Sequence, residues 1–203
     1  MKLGILISGR GSNLQAIIDA IASGELVVSI AVVISNRADA AGLALAEQAG
    51  IPTLVMPHKG YVDRAAYDSA LAAELKARGV ELVCLAGFMR LLGPAFIDAF
   101  PNAVLNIHPS LLPAFTGLDA QRQAFEHGVK VAGATVHFVT TDLDAGPIIC
   151  QTAVPVLDAD TAETLAARIL EAEHRLYPDA IGRLTGGHWR ISDRRVEFLT
   201  SLR

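Results

Sequence analysis

The run Lys2-Leu3-Gly4-Ile5-Leu6-Ile7-Ser8-Gly9-Arg10-Gly11-Ser12-Asn13-Leu14 decides the fold. An apolar segment of strand length enters a glycine loop and emerges into residues 13–23, where Leu14, Ile17, Ile18 and Ile21 recur at helical spacing before Gly24 stops the helix. The pairing of strand and helix repeats downstream. Residues 27–35 precede 40–49, and residues 52–55 precede 63–78, a helix with Tyr67, Leu71 and Leu75 on one face and Gly79 at its end. Strands joined through helices build parallel sheets.

A fourth strand at 82–85 leads into Gly87-Phe88-Met89-Arg90, and Pro94 stands where a short helix can begin. A fifth grows from Ala103-Val104-Leu105 into Asn106. Beyond a helix at 119–127, strands are predicted at 132–138 and 148–156, with a loop at 140–147. A last helix starts after Asp160, takes Glu163 as its capping-box partner and runs through Glu173 toward Pro178. Trp189-Arg190-Ile191 and Val196-Glu197-Phe198 form a candidate terminal hairpin. The chain reads as α/β, with a mostly parallel sheet flanked by helices on both sides. Residues 9–13, 87–90 and 106–108 all follow strands, the end at which such sheets bind ligands.

With 203 residues and 52% hydrophobic content, the chain can bury a large core. A net charge of -4 provides no basic field to gather phosphates, so nucleic-acid binding is not expected. No run approaches the roughly 20 apolar residues of a membrane helix, and a soluble protein is expected. Cys84 and Cys150 lie in apolar runs without the spacing of a zinc or redox motif, which predicts two buried thiols in a reducing cytoplasm.

Chemistry concentrates in Asn106-Ile107-His108-Pro109-Ser110-Leu111-Leu112-Pro113. Strand alternation puts Asn106 and His108 on one face, and two prolines stiffen the chain that follows. In Ser8-Gly9-Arg10-Gly11-Ser12-Asn13, exposed amides at a helix start attract an anion, and the phosphate of a small substrate is the expected occupant. A dinucleotide fits less well: the third glycine of that fingerprint is missing, and the second strand ends Ile34-Ser35-Asn36 instead of in an acidic residue. A carboxylate from the Asp142 to Gly146 loop can orient or charge His108. Amide and imidazolium together can then stabilise the oxyanion of acyl chemistry while the carboxylate manages protons. An amine on the substrate would make a serine or cysteine nucleophile unnecessary. By pattern alone, however, Asp142 and Asp144 are turn residues, Glu173 and His174 belong to a solvated helix face, and Phe88 and Met89 are core. His58, His127, His137 and His188 lack ligand spacing, so no metal is expected.

Across residues 1–178 the chain resembles the folate-dependent phosphoribosylglycinamide formyltransferases of purine synthesis. The resemblance is carried by Ser8-Gly9-Arg10-Gly11-Ser12-Asn13-Leu14, Leu85-Ala86-Gly87-Phe88-Met89-Arg90, residues 106–113, Gly133 through Val139 with Asp142-Leu143-Asp144-Ala145-Gly146-Pro147, and Glu173-His174-Arg175-Leu176-Tyr177-Pro178. It implies a Rossmann-like formyltransferase fold forming one domain over 1–203, with a phosphate-binding lobe at 1–100 and a folate and catalytic lobe at 101–203. Asn106, His108 and Asp144 would be catalytic. Gly11, Ser12 and Asn13 would bind the phosphate of glycinamide ribonucleotide and Glu173 its amino end. Arg64, Met89, Arg90, Leu91, Leu92, Asn106, Thr140, Thr141, Asp142, Leu143 and Asp144 would line the cosubstrate 10-formyltetrahydrofolate. The implied enzyme is cytoplasmic, monomeric or homodimeric, and works on these two small molecules without nucleic acid, membrane or metal.

Thr116 stands where that family usually has proline, which predicts altered loop dynamics outside the chemistry. Two formyl-handling rivals, a formyltetrahydrofolate hydrolase and a formyltransferase acting on initiator tRNA, usually carry an extra domain for which 203 residues leave no room. A noncatalytic nucleotide- or folate-binding module is the rival of another class, opposed by the intact trio.

Overall fold

The computed structural model describes residues 1–199, in two compact units, Met1–Asn106 and a second beginning at Ile107. In the first unit, β1 (Lys2–Ile7), β2 (Ser29–Ser35), β3 (Thr53–Val55), β4 (Leu82–Leu85) and the start of β5 (Val104–His108) lie in the order β3-β2-β1-β4-β5. Each neighbouring pair is parallel. Strand order reverses between β1 and β4, and right-handed crossovers on either side of that point send helices to opposite faces. Accordingly α1 (Ser12–Ala22) packs on α2 (Ala41–Gln48), whereas α3 (Arg64–Ala77) packs on α4 (Pro94–Ile97). β1 is buried from Leu3 through Ile7, the apolar run of a strand covered on both sides.

Two boundaries shift from expectation. β2 begins at Ser29, whose amide pairs with the Met1 carbonyl; Val27 is exposed because the chain is still closing α1 through the Leu26 amide on the Ala20 carbonyl. The inward stripe of α1 is Asn13, Leu14, Ile17 and Ala20, which leaves Ile18 and Ile21 half-buried at its margins.

The second unit is built differently. β6 (Val131–Phe138) and β7 (Ile148–Pro155) are antiparallel, since the short link between them cannot hold a crossover helix. The terminal hairpin forms as β8 (His188–Ser192) and β9 (Arg195–Leu199), and β9 meets β7 in parallel at Ile148, giving the order β6-β7-β9-β8. α5 (Ala120–His127) packs on α6 (Ala162–Gly186), which also packs against β6 and β7.

α6 corrects the sequence reading at both ends. Thr161 is its N-cap and Thr164, not Glu163, completes the capping box; Asp160 is committed instead to Arg168 at 2.6 Å and to the Leu157 amide at 2.7 Å. The helix also passes through Pro178. Ala180, Ile181 and Leu184 continue its buried stripe, and that burial offsets the roughly 3 kcal/mol that an internal proline costs. Cys84 is buried in β4, but Cys150 in β7 is only half-buried; burial nevertheless pushes its thiol up to about 12, so it stays protonated. Among the described residues no helix is long and apolar enough to cross a membrane.

Candidate active site

In the first unit the glycine loop joins β1 to α1. Gly11 caps the helix with φ 79, and its carbonyl accepts the Gln15 amide at 2.9 Å. A side chain there would come within 2.6 Å of Gly42 Cα, so this glycine is demanded by the close approach of α2 as well as by backbone conformation. No side chain caps α1 and no acidic residue lies in its first turn. The amides of Ser12 and Leu14 at this helix start can face an anion. The loop is braced from behind, where Ser8 donates to Asn36 Oδ1 at 2.6 Å and accepts the Met89 amide at 2.9 Å.

That last bond ties the glycine loop to the second candidate segment. Leu92 is buried and Phe88 is core, as expected, but Met89 is 67% exposed and Leu91 58% exposed. Met89 is thus a surface side chain and not part of the core. The Arg90 guanidinium lies over the Tyr67 ring at 5.1 Å, and Arg64 opens α3 as an exposed residue.

In the second unit the end of β5 delivers His108 into a buried polar cluster, two residues along the strand from half-buried Asn106. His108 Nε2 donates to the Phe115 carbonyl at 2.8 Å, and its Nδ1 lies 3.5 Å from Asp144 Oδ2. His137 is arranged in mirror fashion: Nδ1 donates to the Phe138 carbonyl at 2.9 Å and Nε2 lies 3.8 Å from Asp144 Oδ1. Each imidazole thus has one proton fixed by a carbonyl and aims its other nitrogen at one carboxylate. Burial lowers the pKa of His137, which keeps that ring neutral. A proton on Nδ1 of His108 would face Asp144 directly, so the cluster is built to hold and move one proton.

Asp144 is therefore more than a turn residue. It does adopt a left-handed conformation, φ 48, but its carboxylate is buried and accepts the Gly117 amide at 2.8 Å. Thr116 sits between Phe115, which holds His108, and Gly117, which holds Asp144. The expectation that this loop lies outside the catalytic trio's surroundings is overturned, because both backbone contacts of the pair come from it. Thr140 is half-buried, and Thr141, Asp142 and Leu143 are exposed along the same loop as Asp144.

Glu173 is buried on α6, beside Ala172, Leu176 and Tyr177 along the inward stripe, and not on a solvated face. Sequence reasoning weighed His137 only as a metal ligand and passed over Thr135 and Gln151. Thr135 Oγ1 donates to the Ser110 carbonyl at 2.6 Å while accepting from the Leu112 amide at 3.1 Å and from Gln151 Nε2 at 2.9 Å, and so fixes the turn after His108. The available signal for Thr135 and His137 was their spacing, two polar residues at i and i+2 in an otherwise apolar strand. Among the described residues there is no group of three or more His, Cys, Asp or Glu placed to hold a metal.

The formyl transferase family model matches residues 1–181. The chain belongs to the formyl transferase family. Over 95% of its length it is 45% identical to the phosphoribosylglycinamide formyltransferase of Escherichia coli, of which it covers 91%. The trifunctional purine biosynthetic protein adenosine-3 of Bos taurus is 49% identical over 98% of the chain, which spans 20% of that longer relative. Among solved structures, glycinamide ribonucleotide transformylase 1 from Symbiobacterium toebii superposes with a TM-score of 0.96 at 58% identity, with 98% of this chain and 94% of that one covered. The formyl transferase match includes every candidate site residue and stops short of the β8–β9 hairpin.

Proposed function

We propose that this chain transfers the formyl group of 10-formyltetrahydrofolate to the amine of glycinamide ribonucleotide, producing N-formylglycinamide ribonucleotide and tetrahydrofolate. The observation that carries the reading is the Asp144 carboxylate set between two imidazoles at the end of the strand that bears Asn106. The names of full-length relatives point the same way. We assign residues 1–100 and 101–203 as lobes of one formyltransferase domain, acting in the cytoplasm as monomer or homodimer, apart from nucleic acid and membrane.

The folate supplies an electrophilic formyl carbon on nitrogen. Gly11, Ser12 and Asn13, at the N-terminal end of α1, bind the ribonucleotide phosphate, and Glu173 holds its amino end. In the first unit Arg64, Arg90 and the exposed apolar side chains of Met89 and Leu91, with buried Leu92, suit a flat heterocycle with an anionic tail, and in the second unit Thr140, Thr141, Asp142 and Leu143 are assigned to the same cosubstrate. Asn106 and protonated His108 donate to the developing oxyanion as the amine attacks. His108 must release the Phe115 carbonyl to present Nε2. Asp144 stabilises the imidazolium and passes the proton lost by the amine toward the departing folate nitrogen.

The test is tetrahydrofolate formation with and without glycinamide ribonucleotide, with His108→Ala as control. Turnover that needs the ribonucleotide and disappears in the variant is expected. Release of folate that ignores the ribonucleotide would mean a hydrolase, and binding of both ligands without release would mean a noncatalytic module.

A further inference from the structure

Residues 89–92 form an irregular segment between β4 and α4, a shape that backbone hydrogen bonding within a regular element does not maintain. Three tethers hold it. Met89 donates its amide to Ser8 at the start, Arg90 stacks over Tyr67 in the middle, and the Gly93 amide donates to Asp68 Oδ2 at 2.7 Å at the end. Tyr67 is itself pinned edge-on by Tyr61 at 5.2 Å and His58 at 6.5 Å.

The third tether is the unexpected one. Asp68 is 1% exposed, and burial raises its pKa, opposed by the Gly93 amide and by the positive charges of Arg64 and Arg90. A neutral acceptor would hold one amide without the desolvation that a carboxylate incurs. A carboxylate gains only if its charge is used, and the two cations whose fields reach it are Arg64 and Arg90. Its second oxygen and Arg90 Nε are both buried without a hydrogen-bond partner among the described residues, so the charge acts on Arg90 through space. Gly93 completes the fit, since a Cβ there would lie 3.0 Å from Asp68 Oδ2 and 3.3 Å from Arg64 Nη2 although its φ of -90 suits any residue.

We propose that Asp68 is a positioning residue for the folate: it fixes the end of segment 89–92 through Gly93 and draws Arg64 and Arg90 to one side of it. The claim rests on the assignment of that segment to folate binding made above. Asp68 touches no reacting atom, so its loss should alter binding of one substrate and leave the chemistry alone.

Asp68→Ala is expected to raise the KM for 10-formyltetrahydrofolate roughly tenfold, with kcat and the KM for glycinamide ribonucleotide within about twofold of wild type. Asp68→Asn, which keeps the acceptor for Gly93 and loses the charge, should give about threefold. Gly93→Ala crowds the same contact without removing a charge and should also raise only the folate KM, which preserves the test if Asp68→Ala does not fold. No change in folate KM, or an equal loss for both substrates and kcat, would overturn the proposal. If the wild-type chain turns over no ribonucleotide, the assigned reaction fails by itself. The positioning claim is then read from amide exchange at Gly93 and from tetrahydrofolate affinity: faster exchange with weaker binding in Asp68→Asn supports it, and wild-type values of either refute it.

Discussion

Asp144 joins three backbone and side-chain partners in one buried carboxylate, and a single oxygen replaced by an amide separates its roles. Asp144→Asn retains an acceptor for the Gly117 amide but removes the charge that faces His108. The expected result is a fall in kcat of roughly 10² to 10⁴, the usual worth of a positioned acid or base, with near-normal stability; kcat within tenfold of wild type would contradict the proton role. Thr135 supports the site by other means. Thr135→Val strips the Ser110 carbonyl and the Leu112 amide of their buried partner and should cost about 1–3 kcal/mol in urea unfolding, whereas Thr135→Ser should cost little. These two residues also mark what was legible at this scale. Asn106 and His108 announced themselves because polar residues at the end of an apolar strand are conspicuous. The Asp142 to Gly146 loop was legible as the source of a carboxylate for His108, although turn chemistry alone explains either aspartate; Thr135 and His137 were not, since a hydroxyl or an imidazole in a strand has an ordinary explanation until distant segments are brought against it.

At the scale of elements, sequence pattern found the strands and α-helices, missed the 3-10 turn His58–Gly60, and misplaced ends where a cap depended on tertiary commitment. Asp160 and Glu163 have capping-box spacing, yet Asp160 is drawn to Arg168 and the cap passes to Thr161. Urea unfolding distinguishes the two registers. Thr161→Ala should lower stability by about 1 kcal/mol, while Glu163→Gln, which alters an exposed contact with Arg122 at 3.5 Å, should leave the urea midpoint close to wild type. Equal effects would restore the register read from sequence. Pro178 misled for a similar reason: propensity is local, whereas the stripe of Ala180, Ile181 and Leu184 acts through packing. The terminal hairpin was visible from its alternating residues, but not its contacts, in which Trp189 lies 5.2 Å from Phe138 and Arg194 donates to the Ala145 carbonyl beside Asp144.

Across the whole molecule, buried titratable groups set how the fold responds to acid. Burial lowers the pKa of His58, His137 and His174, so the folded chain prefers all three neutral. A depressed folded pKa contributes stability that is complete above the unfolded value of about 6.5 and is lost as pH falls through the folded value. Asp68 acts in the opposite sense: its raised pKa favours the fold at low pH and that contribution is lost as pH rises. The ion-paired carboxylates Asp39 and Asp160 have lowered values, so their losses come at more acidic pH than the ordinary carboxylate range. Between pH 7.5 and 5.5 the histidines therefore dominate, and the urea midpoint should fall over that interval. His137 is the most deeply buried of the three, and His137→Asn keeps a donor for the Phe138 carbonyl while removing the titration. The variant should start lower at pH 7.5 and decline less on acidification. A wild-type midpoint that is flat to pH 5.5, or a variant that declines in parallel with it, would show that this imidazole is not where acid sensitivity resides.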